Sequence, residues 1–162
     1  MSLASLPIDG STGMSVFLVS SNATDKSDGW GNDALLYWPE TASWGMTFFG
    51  SYQTSSHFRF GTMQTGNELP VSMPFTRTNS FGLNEWMHSG TTDSMWLNGQ
   101  NVASFAGKVQ QINGAGTSAL LGEGAYNTFY SGDVSEVIVY NRALLAAEQQ
   151  AIEQYLMKKY HL

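Results

Sequence analysis

The chain has 162 residues, a formal net charge of -6 and no cysteine, so it is long enough for one domain with a substantial core and too short to expect two. The acidic balance argues against nucleic acid and against anionic membrane surfaces, which need a basic face. The lack of cysteine excludes disulfides and thiolate metal sites, and no run of about 18 apolar residues is present to span a bilayer.

Charged residues make up only 12% of the chain and aromatics 13%, with 17 glycines. Turn pairs such as Asn-Gly and Ser-Gly punctuate a sequence poor in helix formers, which predicts an all-β sandwich of many short strands. The opening Met1-Ser-Leu-Ala-Ser-Leu-Pro7 lacks the basic and long apolar regions of a signal peptide and reads as a boundary inside a longer protein.

Met14 to Ser20 is apolar on both faces and predicts a central strand. A turn-rich loop from Ser21 to Asn32 follows, then strand character from Asp33 to Tyr37, Gly45 to Tyr52 and Ser56 to Gly61. Pro70 and Pro74 mark an irregular or edge stretch, since neither can donate to a central ladder. Phe81 to His88 and Ser94 to Val102 predict a hairpin around Gly90-Thr-Thr-Asp93, and Ala119 to Gly122 a short strand. Val134 to Tyr140 alternates β-branched and aromatic residues after Gly132-Asp133, a strand signal.

From Ala147 the apolar positions Ala147, Ala151, Ile152, Tyr155, Leu156 and Tyr160 recur at helical spacing. That pattern leaves Glu148, Gln149, Gln150, Glu153, Gln154, Lys158 and Lys159 for solvent and closes the helix on the sheet through Ile152, Tyr155 and Leu156. Glu148 in the first turn and Lys158 and Lys159 in the last suit the helix dipole.

Gly132, Asp133, Val134, Glu136 to Arg142, Leu144, Glu148 and Lys159-Tyr160 together resemble the closing strand and helix of the laminin-G-like, concanavalin A-like lectin and glucanase modules. Trp96-Leu97-Asn98-Gly99-Gln100 and the opening strand Met14 to Val19 are further landmarks of that resemblance. Leu145 stands where the family commonly carries a capping Ser or Asp; the capping-box partner Glu148 remains, and the helix start is expected to be less well fixed. The resemblance implies a two-sheet antiparallel jelly-roll sandwich with one C-terminal helix, a single domain over residues 1–162, an extracellular or cell-surface setting, and a carbohydrate or protein partner.

Parity within the hairpin defines a candidate site. With Leu83, Met87, Met95 and Leu97 inward, Asn84, Trp86, His88 and Trp96 fall together on the other face. Indoles beside amides are suited to sugars, stacking on the apolar face of a pyranose while amides meet its hydroxyls. The alternative is that an element covers these aromatics as core. Trp30 and Trp44, both beside glycines, and Arg59 form a second group of candidate ligand-binding residues.

Asp25, Asp28, Asn32 and Asp33 supply oxygen donors of the kind calcium takes. Their spacing does not match an EF-hand, and turn-forming Asp and Asn account for it without a metal, so no cofactor is expected. His57, His88 and His161 have no sequence-local partner for zinc.

Related jelly rolls include glucanases whose paired carboxylates alternate along one strand. The nearest segment here is Asp133-Val-Ser-Glu136. The place of Glu136 corresponds to that of a glutamate in non-catalytic members, so its expected role is a hydrogen bond at the strand edge or to the helix. No Gly-x-Ser-x-Gly elbow is present. The sequence therefore reads as a non-catalytic carbohydrate-binding module, with an adhesive or structural protein-interaction module as the alternative and a glycoside hydrolase as a distant third.

Overall fold

A computed structural model of the chain describes residues 13–22, 36–38, 46–48, 50–52, 55–58, 71–72, 80–90, 92–106, 120–123, 129–130 and 132–162. These residues are mostly β and fall into two compact units. One unit contains two short antiparallel sheets. The first joins Leu36–Trp38 (β2) to Met46–Phe48 (β3) and, on its other side, to Leu120–Leu121 (β10). The second joins Gly50–Tyr52 (β4), Ser55–Phe58 (β5) and Val71–Ser72 (β6).

The other unit is a five-stranded antiparallel sheet carrying the helix. Its strands are Met14–Asn22 (β1), Gly82–Ser89 (β7), Thr92–Leu97 (β8), Gln100–Ala106 (β9) and Gly132–Tyr140 (β11), in the order β11-β1-β7-β8-β9. The first strand of the sequence thus lies between the last strand and β7, paired along both of its edges. Met14, Val16, Phe17, Leu18 and Val19 are each at most 2% exposed.

Register assigns the faces. Phe17 opposes Glu85 and Val19 opposes Leu83, so these four share one face with Met87. The helix Ala146–Tyr160 (α1) packs on that face, where Leu144 and Leu156 complete a core with Phe17, Val19 and Leu83. Burying each such side chain contributes roughly 1.5–3 kcal/mol.

The corner between β11 and α1 is fixed by residues far away in sequence. Ser15 Oγ donates to the Arg142 carbonyl at 3.0 Å and accepts the Leu144 N–H at 3.1 Å. Gly13 lies beside the same corner at φ 116, and a Cβ there would stand 2.8 Å from the His88 carbonyl oxygen and 2.9 Å from the Ala143 nitrogen. Only glycine fits such a left-handed approach.

Leu145 offers no side-chain cap at the helix start, where the Glu148 side chain meets the backbone instead. It accepts the Leu145 N–H at 2.9 Å and forms two bonds with Arg142, at 2.7 and 2.8 Å. At the other end His161 adopts the left-handed conformation and Leu162 N–H bonds to the Met157 carbonyl at 3.0 Å.

Three sequence expectations are corrected, the first being Gly45 to Tyr52, whose Met46–Phe48 and Gly50–Tyr52 are strands of different sheets. The stretch Ser94 to Val102 is two strands, because Asn98 and Gly99, at φ 50 and φ 74, reverse the chain between β8 and β9. Positive φ at both central residues is what an Asn-Gly hairpin turn requires. The buried side of the helix is also rotated from the expected one. Tyr155 is 54% exposed and Gln149 only 8%, because Gln149 turns inward to a buried polar group on the sheet. Among the described residues no helix is long and apolar enough to cross a membrane.

Candidate functional site

The sequence-derived site residues separate by face. Even-numbered residues of β7 pair with odd-numbered residues of β8, since Ser89 opposes Thr92 across a two-residue loop. Trp86 therefore faces Met95, while Trp96 faces Glu85 on the opposite side of the sheet. The expected platform of Trp86 and Trp96 on one surface is not formed. Asn84, Trp86 and His88 do share a face, together with Met95 and Leu97, which were expected to oppose them.

That face is buried. Trp86 and Asn84 are each 1% exposed and His88 2%, so the outward aromatic surface predicted for them is corrected to core. The Trp86 and His88 rings stack with an interplanar angle of 12° and centroids 6.2 Å apart. His88 Nδ1 lies 2.9 Å from Asp93 Oδ1, and Asn84 Nδ2 donates to Ser20 Oγ at 3.2 Å. Buried polar groups keep their cost low only when paired, and here the partners come from neighbouring strands of the same sheet.

Trp96 has a different setting. It is partly exposed on the helix-bearing face, but toward the β8–β9 side of the sheet, where Asn101 stands directly across from it. Ser94 opposes Ser104 one step along. Their hydroxyls are 3.0 Å apart, and Asn101 Nδ2 donates to Ser104 Oγ at 3.2 Å. An indole, an amide and two hydroxyls thus line an open strip of strand surface, with Asn101 and Ser104 exposed. A register shift between Met95 and Trp96 brings Asn101 opposite the indole. The sequence reading missed Asn101 and Ser104, although the Asn98-Gly99 turn was the signal that sets this register.

Toward the helix, Glu85 is 1% exposed. Gln149 Nε2 donates to Glu85 Oε2 at 3.1 Å and to Glu153 Oε1 at 2.9 Å. Burial, reinforced by Glu153, pushes the Glu85 carboxyl up from its ordinary 4.5 to about 8.

Glu136, the residue weighed against catalytic carboxylates, meets the helix. It accepts from Lys159 Nζ and from Tyr160 Oη, each at 2.9 Å, and the Lys159 bond holds its carboxyl below the ordinary range. This is the helix-packing hydrogen bond expected of it.

Trp30, Trp44 and Arg59 lie outside the described residues, as do the calcium candidates Asp25, Asp28, Asn32 and Asp33. Among the described residues no group of three or more His, Cys, Asp or Glu is placed to hold a metal.

No family model matches the sequence, and no curated protein matches it. Solved structures match in fold. NanB, a sialidase of Streptococcus pneumoniae solved with optactamide, superposes with a TM-score of 0.64 at 16% identity over 93% of this chain and 26% of its own. Domain 4 of AbnA, a GH43 extracellular arabinanase from Geobacillus stearothermophilus in complex with arabinotriose, gives 0.61 at 13% identity, covering 93% of this chain and 69% of its own. The binding domain of Paraclostridial Mosquitocidal Protein 1 gives 0.60 at 12% identity, over 90% and 38%. The chain spans well under half of two of these three proteins, and at such identities the likeness is one of fold.

Proposed function

We propose that the chain is a non-catalytic carbohydrate-binding module of the two-sheet jelly-roll kind, a single domain of a secreted or cell-surface protein. The observation that carries this reading is Trp96 with Asn101 across from it and the Ser94 and Ser104 hydroxyls alongside. A pyranose or furanose ring laid on the indole would bring its hydroxyls within reach of the amide and the serines. The fold likeness to a domain solved with arabinotriose supports the same class of ligand, as does the acidic charge, which suits a neutral glycan better than a nucleic acid. Laminin-G-like membership remains part of this proposal, resting on Gly132 to Arg142 and the closing helix.

The test is a glycan array, followed by titration of any hit against the wild-type chain, Trp96→Ala and Asn101→Ala. Loss of the stacking indole is expected to weaken binding about tenfold, which corresponds to ~1.4 kcal/mol. Asn101→Ala, a change at an exposed position, should weaken binding while leaving the fold intact. Unaltered sugar affinity in both variants would move the site elsewhere.

A further inference from the structure

We propose that Glu85 and Glu153 hold one proton between them, and that this proton is a latch for α1: while it is kept the helix lies on the sheet, and when it leaves, two carboxylates repel beneath it. The geometry is specific. One amide nitrogen, Gln149 Nε2, reaches both carboxyl groups, at 3.1 and 2.9 Å. The second Glu85 oxygen, Oε1, is buried and meets no N–H or O–H donor among the described residues. A buried carboxylate oxygen without a donor is costly, whereas a carboxyl group that itself donates is satisfied by an acceptor. Glu153 is that acceptor.

Among the described residues no cationic side chain is bonded to Glu85 or Glu153. The groups facing Glu85 are Phe17 from β1, Trp96 from β8, the Gly99 amide from the β8–β9 turn, and Gln149 and Glu153 from α1. Among these described groups, Glu153 is the one with an ionisable side chain. Of the cationic side chains on and just before the helix, Arg142 pairs with Glu148 and Lys159 with Glu136. Gly99 closes the pocket from the turn: a Cβ there would lie 3.6 Å from Glu153 Oε2 and 3.8 Å from Met157 Sδ.

The sign of the effect follows from proton linkage. Glu85 takes up its proton at about 8 in the folded chain and at 4.5 when unfolded. Between those values the folded state binds the extra proton, so its contribution is full below pH 4.5 and is lost as pH rises through about 8. One proton corresponds to an unfolding constant that grows about tenfold per pH unit inside that window.

Thermal and urea unfolding of the purified chain, followed by helix circular dichroism across the window, tests the latch against Glu85→Gln and Glu153→Gln. The wild type should lose stability with rising pH. Glu85→Gln should flatten the profile and exceed the wild type at the alkaline end, and Glu153→Gln should move the fall to lower pH. The latch is overturned if the wild-type profile is flat, if both variants keep the wild-type slope, or if Glu85→Gln is the less stable protein at alkaline pH. Calcium that raises the alkaline melting temperature of the wild type and not of Glu85→Gln would also overturn it, since the pair would then hold a cation.

Discussion

The two faces of the five-stranded sheet are equally well buried near β1 and β7, yet they are held in different ways. On the helix-bearing face, Phe17, Val19 and Leu83 meet Leu144 and Leu156 from a segment more than fifty positions away, and the buried Glu85 finds its partners on that same helix. On the opposite face the polar groups pair inside the sheet, His88 with Asp93 and Asn84 with Ser20. The first arrangement ties two elements together, so it can respond when its charge changes. The second joins neighbouring strands within the sheet.

Truncation should expose that difference most strongly at Leu156, which is 1% exposed on the helix side. Leu156→Ala removes packing from Phe17, Val19 and Leu83 at once and is expected to cost about 2–5 kcal/mol. Because the loss falls on the element junction, helix signal in circular dichroism should melt before the indole fluorescence of Trp86 changes. Coincident loss of the two signals would mean that the helix and the far face unfold as one unit.

Asp93→Ala attacks the opposite face and should cost about 1–3 kcal/mol, the usual penalty for leaving a buried polar partner unsatisfied. His88 then keeps its stack on Trp86 but loses the bond from Nδ1. The double variant His88→Ala with Asp93→Ala should be less destabilised than the sum of the singles, by roughly 0.5–3 kcal/mol. Urea midpoints measure this directly, and strict additivity would show that the pair does no work.

Ser15→Ala should have a smaller effect, about 1–2 kcal/mol, through the Leu144 N–H left without its acceptor. Hydrogen exchange at Leu144 reports it. The change should loosen the corner between β11 and α1 and leave the His88–Asp93 pair protected, which keeps the two faces distinguishable.

What could be read from the sequence is what local pattern encodes. The strand Gly132–Tyr140 and the helix were legible because β-branched alternation and a spacing of three and four declare themselves within a few residues. Glu148 was legible as a capping-box partner, but the hold it keeps on the helix start was not. The hairpin of β7 with β8 was legible but its register was not, because which of Trp86 or Trp96 faces Met95 depends on whether the loop has an even or odd count. The inward turn of Gln149 was illegible too: its partner Glu85 lies 64 positions away, and a glutamine at a helical polar position gives no hint of a buried carboxyl group. Asn98-Gly99 is the instructive middle case, a hairpin signal present in the sequence and absorbed into a longer strand.

The weakest expected effect is also the one that isolates the Glu85 latch. Glu148 is exposed and is drawn down to about 2 by its two bonds to Arg142 and by the Leu145 N–H. Its sign is opposite to that of Glu85: the stabilisation is present above the ordinary 4.5 and is lost as pH falls through about 2. Glu148→Gln should therefore leave the alkaline limb of the stability profile untouched and reduce the steepness of the acid limb, by an amount that shrinks with added salt because the pair is exposed. The two glutamates then bracket the profile, one limb each, with greatest stability on the acid side of neutrality. A Glu148→Gln variant that altered the alkaline limb would place the helix start, and not the buried pair under its middle, in control of whether α1 stays on the sheet.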